Sequence, residues 1–210
     1  MVQVIQAEKL TLYDLVKKFK LRLSEDKQFF QEWQEELPEL TDGERQRLDR
    51  VKESYFNLTM RPMLEDMVKM VVLSPLLDLA GFYLPPFYSQ TEESVEIVEK
   101  DEDVVIRGKI DVLVLQDRFW VIVIESKRPG LSLEPGIPQA LAYMLASPQP
   151  EKSLFGLVTN GSNFIFLKLI QQEVPLYALS DEFTLRRGND LYTVLGTLKR
   201  LSQLFIQENE

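Results

Sequence analysis

The chain has 210 residues, 24 basic and 33 acidic, for a formal charge of −9, and it contains neither cysteine nor histidine. With 45% hydrophobic and 27% charged residues it is long enough to bury about 70% of its extended surface in one core, which excludes disorder and collagen-like structure. The two missing residue types exclude disulfides, zinc centres and imidazole-dependent hydrolases, and they restrict any metal to oxygen ligands, hence to hard cations such as Mg²⁺ or Mn²⁺.

The opening MVQVIQAEKLTLYDL has no basic stretch followed by an apolar one, and the longest apolar runs, such as FWVIVI at 119–124, fall far short of about 18 residues. A cytoplasmic protein with no membrane contact is expected. The first 80 residues read as helices. Phe29, Phe30, Trp33 and Leu37 follow helical spacing and predict a helix over 25–37, stopped by Pro38. Thr41 and Glu44 form a capping-box pattern that starts a second helix to about Asn57, with Leu48, Val51 and Tyr55 on one face. A third is predicted from near Thr59, with Met60, Met63, Leu64, Met67, Val68, Val71 and Val72 as its stripe, ending or kinking at Pro75.

Beyond Pro85-Pro86 the period changes to two, giving strands at about 94–99, 104–115 and 119–127. FWVIVIE is apolar on both faces, as expected of a central strand covered by helices on each side. A Pro- and Gly-rich loop (129–138), a short helix to about Ala146, and strands near 153–159 and 163–169 follow. Asn160-Gly161 joins the last two as a hairpin, and a helix over about 190–206 closes the chain. The predicted architecture is therefore α/β: a mixed central β-sheet flanked by helices, plus an N-terminal helical region.

Asp111, Glu125 and Lys127 lie in or at the ends of the most hydrophobic strands, where ionised groups lose solvation unless they are paired or bind a metal. A three-residue loop at 116–118 would set Leu115 opposite Phe119, Asp111 opposite Val123 and Lys109 opposite Glu125. All three charged side chains then share one face, with Asp111 diagonal to Glu125. Two carboxylates, the Ser126 carbonyl and waters make an oxygen site for Mg²⁺, and Lys127 beside it offers the positive charge that phosphodiester hydrolysis needs. The competing reading is a plain ion pair of Lys127 with Glu125 or Asp111.

Asp111, thirteen residues, then Glu125-Ser126-Lys127 resembles the PD-(D/E)-x-K nuclease superfamily, with Ile110 at the variable proline position. Gln139 and Tyr143 resemble the Q-x-x-x-Y element of RecB-type nucleases and type I restriction R subunits. Glu65-x-x-x-Lys69 followed by SPLLDLAGFY, and LVTNG with Phe164, resemble further segments of the R-subunit nuclease domain. These pieces span about residues 60–170 in family order, and the whole is similar to small stand-alone R-subunit-like proteins.

The resemblance implies a restriction endonuclease-like core at 59–210 behind an N-terminal helical region at 1–58. It implies Asp111, Glu125, Ser126 and Glu65 as ligands of Mg²⁺ or Mn²⁺, Lys127 as the catalytic lysine, and Gln139 and Tyr143 as supports of the site or contacts to the substrate. DNA is the expected substrate, with a homodimer and partner subunits of a restriction-type system as further expectations. The chain lacks G-x-x-x-x-G-K-[ST], so an ATP-driven motor is not expected. The alternatives are a catalytically silent module that keeps the nuclease fold to bind protein or nucleic acid, and a structural subunit that dimerises through its N-terminal helices. Arg61, Glu65 and Lys69 also fit a row of helix-surface ion pairs, and the acidic run Glu92 to Asp103 reads as a solvated edge. Trp33 and Phe29-Phe30 read as core, and Arg128, Arg186-Arg187 and Lys199-Arg200 as the compact basic spots beyond the site. The net negative charge opposes a polyanion at long range without excluding a local basic groove.

Overall fold

The computed structural model describes residues 3–35, 37–99 and 104–207. The chain begins with β1 (Gln3–Gln6), a 3-10 turn (Ala7–Lys9), α1 (Leu12–Phe19), β2 (Arg22–Leu23) and α2 (Asp42–Leu58). Next come α3 (Glu65–Val68), a π-helical stretch (Lys69–Leu73) and α4 (Ser74–Leu79), followed by β3 (Phe87–Glu99), β4 (Val104–Gln116), β5 (Phe119–Ser126) and α5 (Gly136–Leu145). β6 (Leu154–Thr159), β7 (Asn163–Ile170), β8 (Leu176–Leu179), β9 (Phe183–Thr184) and α6 (Asp190–Gln207) complete it. Among these residues nine strands form one mixed sheet in the order β1-β4-β5-β6-β7-β8-β2, with β3 along β4 and β9 against the start of β7. The α/β reading, a mixed sheet flanked by helices, describes this architecture.

β5 is the centre, antiparallel to β4 and parallel to β6. Ile122 and Ile124 pack into a core with α2, α4 and α6, while Val123 packs into the opposite core with α1 and α5. Each such side chain contributes about 1.5–3 kcal/mol only if it is fully buried, so a strand apolar on both sides is stable only between two helical layers. The Asn160-Gly161 hairpin forms as expected, with Gly161 at φ 84°, a backbone that favours glycine. No helix among the described residues is long and apolar enough to cross a membrane.

Four expectations are corrected. Residues 25–37 are turns rather than a helix; Glu36 lies outside the described residues. The Asp26 carboxylate accepts the Gln28 N–H (2.9 Å) and the Asp26 carbonyl accepts the Phe29 N–H, so local bonds replace a helical ladder. The aromatics nonetheless pack one by one, Phe30 buried against Phe155 and Trp33 half-buried and edge-on to Phe183.

The N-terminal segment, expected to be all helix, contributes β1 beside β4 and β2 beside β8. The third helix starts at Glu65, not near Thr59, and leaves Met60 exposed. It does not end at Pro75, and its irregularity, the π-helical stretch, comes just before that residue. The Ser74 N–H reaches back five residues to the Lys69 carbonyl, and this wide turn places Pro75 in the first turn of α4, where its missing N–H is not needed.

The β4–β5 turn holds two residues, with Asp117 at φ 54°, and a bulge lies between the Val114–Ile122 and Leu115–Trp120 pairs. The pairs Leu113–Val123 and Val112–Ile124 are displaced by two residues from the expected register. Two is the side-chain period, so beyond the bulge the site residues keep their face, and Asp111 comes level with Glu125 rather than diagonal to it.

Candidate active site

The site lies where β4 changes neighbours. Residues 104–107 pair with β1 and residues 112–116 with β5, and the stretch between them pairs with β3 alone. Side chains fill the missing ladder. The Ser126 N–H donates to Asp111 Oδ2 (2.7 Å), and the Lys109 N–H donates to the Tyr143 hydroxyl (3.2 Å). A Cβ on Gly108 would fall 2.5 Å from Tyr143 Cε1, so only glycine lets the α5 tyrosine reach this strand.

One chain of hydrogen bonds then crosses the site. Lys127 Nζ donates to Glu125 Oε1 (2.6 Å) and to Gln139 Oε1 (2.8 Å), and Gln139 Nε2 donates to the Tyr143 hydroxyl (2.9 Å). Gln139 and Tyr143 sit one helical turn apart on α5, and both are buried. The start of α5 approaches closely: a Cβ on Gly136 would lie 2.6 Å from Val158 Cγ1 and 3.4 Å from Lys127 Cε.

Asp111 has its own cation. Lys69, on the π-helical stretch, donates to Asp111 Oδ1 at 2.7 Å and lies 3.5 Å from both Glu65 and Glu92. Burial pulls the Lys69 ammonium down, but the Asp111 hydrogen bond and the charges of Asp111, Glu65 and Glu92 outweigh it and hold Lys69 above the ordinary lysine range.

Glu125 is the opposite case, with a side chain only 3% exposed. Burial, then the Asp111 charge, pushes its carboxyl up to about 8 against the pull of Lys127. Its Oε2 is buried with no hydrogen-bond partner. Burial likewise pushes Tyr143 up to about 12, so its hydroxyl stays neutral.

Asp111, Glu125, Ser126, Lys127, Gln139 and Tyr143 are thus brought together. Glu65 reaches the cluster through Lys69, and its charge is felt at Glu125. Sequence reasoning assigned no part in the site to Lys69, which looked like half of a helix-surface pair, nor to Glu92, which looked like solvated edge. It also missed Gly108, Gly136 and Asn160. Asn160 Nδ2 donates to the Leu131 carbonyl (2.7 Å) while its Oδ1 accepts the Ser162 and Asn163 N–H groups, so the hairpin turn pins the loop that follows Lys127.

Among the described residues no group of three or more acidic side chains is drawn together as a metal cage. Mg²⁺ does not require one, because it usually keeps several waters and takes one or two carboxylates. Asp111 and Glu125 fit that demand: both are hard oxygen donors, and the orphaned Glu125 Oε2 lacks the partner that a buried carboxylate oxygen needs. Asp111, Glu125 and the Ser126 carbonyl are the groups that would hold the ion. No protein-family model matches the chain, and the comparison with curated proteins finds no match.

Proposed function

We propose that the chain is a Mg²⁺- or Mn²⁺-dependent endonuclease with a restriction endonuclease-like fold, hydrolysing phosphodiester bonds in DNA without a motor of its own. The observation that carries this reading is Asp111, bonded to the Ser126 N–H, close enough to act on Glu125, whose Oε2 is buried without a partner, beside a lysine held in place by Gln139. When bound, the cation supplies Lewis-acid polarisation of a phosphodiester. Lys127 has three N–H donors, of which Glu125 and Gln139 take two. With 20% of its side chain exposed, the third can orient an attacking water or meet a phosphate oxygen as negative charge develops. Gln139 and Tyr143 fix the direction in which that donor points. Glu65 restrains Lys69, which shares Asp111.

The second reading, a silent module that keeps the fold for binding, is favoured by one observation: each carboxylate already has a lysine, Lys69 for Asp111 and Lys127 for Glu125. The two part in one experiment. Calorimetry with Mn²⁺ and Mg²⁺ on wild type and Asp111→Ala is run beside cleavage of plasmid and single-stranded DNA, with Lys127→Ala as the catalytic control. The nuclease reading expects ion binding that disappears with Asp111, and cleavage that disappears in both variants while each still folds. Wild-type protein that neither binds the ions nor cuts transfers the assignment to the binding module.

A further inference from the structure

A cleft of about 620 Å³ opens beside the site, walled by Met60, Arg61, Leu64, Arg128, Pro129 and Leu131 among others. Its two walls are direct continuations of the site. Leu64 precedes Glu65, and Arg128 follows Lys127. The Arg128 wall is firmly built, because the Lys127 N–H donates to the Thr159 carbonyl (2.7 Å), the Leu131 N–H to the Arg128 carbonyl (3.2 Å) and Asn160 Nδ2 to the Leu131 carbonyl.

The charges of the neighbourhood single out two residues. Lys69 and Lys109 are ion-paired with Asp111 and Glu92, and the Lys127 ammonium is held by hydrogen bonds to Glu125 and Gln139. Of the other basic spots, Arg187 is paired with Asp190, Lys199 with Glu44, and Arg186 lies over the Phe56 ring. Arg61 and Arg128 are exposed and have no carboxylate partner among the described residues, yet they share one cleft. In a chain of net charge −9, two guanidinium groups without a carboxylate partner that line one cleft at the edge of the site are a local exception to the field. A guanidinium matches phosphate oxygens with two parallel N–H donors, and the exposed apolar rim of Met60, Leu64 and Leu131 suits sugars and base faces rather than a free ion.

We propose that Arg61 and Arg128 form a phosphate clamp that seats the backbone of a nucleic-acid strand as it enters the Asp111–Glu125 site. The proposal rests on the nuclease reading for the identity of the strand. Both residues act on the sugar-phosphate backbone, so they set affinity and position without base preference.

The test is fluorescence anisotropy of a labelled 20-nucleotide DNA strand with full-length protein, in EDTA so that nothing is cut, from 25 to 200 mM salt. Wild type, Arg61→Gln, Arg128→Gln and the double variant are compared, with Arg187→Gln as the control cation outside the cleft. Each clamp variant is expected to bind severalfold more weakly and to lower the slope of log affinity against log salt by about 0.7 for each phosphate that is no longer neutralised. The control should bind as wild type, and all four variants should melt as wild type. Unlabelled strand should compete where inorganic phosphate at equal phosphate concentration does not; equal competition would overturn the strand as occupant.

Wild-type affinity and slope in both clamp variants would overturn the clamp. If Mg²⁺-dependent cleavage persists in that case, the nuclease reading stands without it. A wild-type protein that neither binds nor cleaves nucleic acid removes both.

Discussion

Gly136 is where one methyl group tests the whole arrangement. Replacing it with alanine puts a Cβ 2.6 Å from Val158 Cγ1, against the 3.5–4.0 Å or so of ordinary carbon contacts. Val158 cannot give way easily: it is 0% exposed on β6, and its branched Cβ leaves little rotamer freedom. The start of α5 must therefore recede by about 1 Å. Helix propensity alone favours alanine by about 0.5–1 kcal/mol, less at a first helical position, whereas overpacking a full core costs about 1–3 kcal/mol, so the net sign is destabilising. For a chain of this size each kcal/mol lowers the melting temperature by about 2–4 °C. The same recession draws Gln139, one turn along α5, away from Lys127 Nζ at 2.8 Å, and a misplacement of about 1 Å costs a catalytic site on the order of 100-fold in rate. Thermal melts and single-turnover cleavage on wild type, Gly136→Ala, Val158→Ala and the double variant separate the effects. Trimming Val158 should offset the added methyl, with a coupling of about 1 kcal/mol or more. A Gly136→Ala protein that melts at or above wild type and gains nothing from Val158→Ala refutes the close-approach argument.

Glu125→Gln should change how stability depends on pH in the metal-free protein. Its carboxyl is raised from 4.5 to about 8, so between those values the unfolded chain has lost a proton that the folded chain keeps, and wild-type stability falls as pH rises through that window. The Gln variant lacks this slope and should gain on wild type by roughly 3–5 kcal/mol between pH 4.5 and pH 8, read from urea midpoints in EDTA; parallel pH profiles would disprove it. Lys69→Met strips Asp111 of its cation and leaves it the Ser126 N–H. Because Lys69 keeps 18% exposure, the loss should be about 2 kcal/mol, below the 3–5 kcal/mol of a fully buried pair, and Asp111→Asn in the same chain should restore part of it. Unchanged urea midpoints in Lys69→Met would mean that the pair contributes nothing.

What could be read from the sequence was local. The apolar FWVIVI run, the Thr41–Glu44 capping box and the Asn160-Gly161 turn each determine their structure within a few residues, and β5, α2 and the β6–β7 hairpin formed accordingly. Side-chain parity was equally robust, since a bulge and a shortened turn together displaced β5 by a whole period and left the site face intact. The failures were long-range. β1 and β2 are strands only because β4 and β8, far away in the chain, offer them an edge, and their four and two residues carry no periodicity of their own. At 25–37 the aromatics had helical spacing, but their packing partners, Phe155 and Phe183, lie on separate strands that no helical register requires. Lys69 looked like a surface pair because its i, i+4 neighbour Glu65 is visible in sequence, whereas Asp111, 42 residues on, is not.

The cost of the cluster itself bears on function. A buried ion pair is commonly no more stable than apolar residues of similar size, and here two part-buried lysine–carboxylate contacts, Lys69–Asp111 and Lys127–Glu125, lie against the hydrophobic cores. The second is badly balanced, with one Glu125 oxygen bonded to Lys127 and the other bonded to nothing. Around it the chain has given up side chains at Gly108 and Gly136, buried a glutamine and a tyrosine hydroxyl, and placed a π turn so that Lys69 faces Asp111. None of these features adds to the stability of a sheet that isoleucine and valine would stabilise better. Conflicts between local choice and global fold collect where a site needs them, and in this molecule they converge on the carboxylate pair and its lysine. On the nuclease reading the proposed clamp sits next door for the same reason: the lysines of the site are already held by its carboxylates, so Arg61 and Arg128 at its edge are the cations left to meet a phosphate backbone.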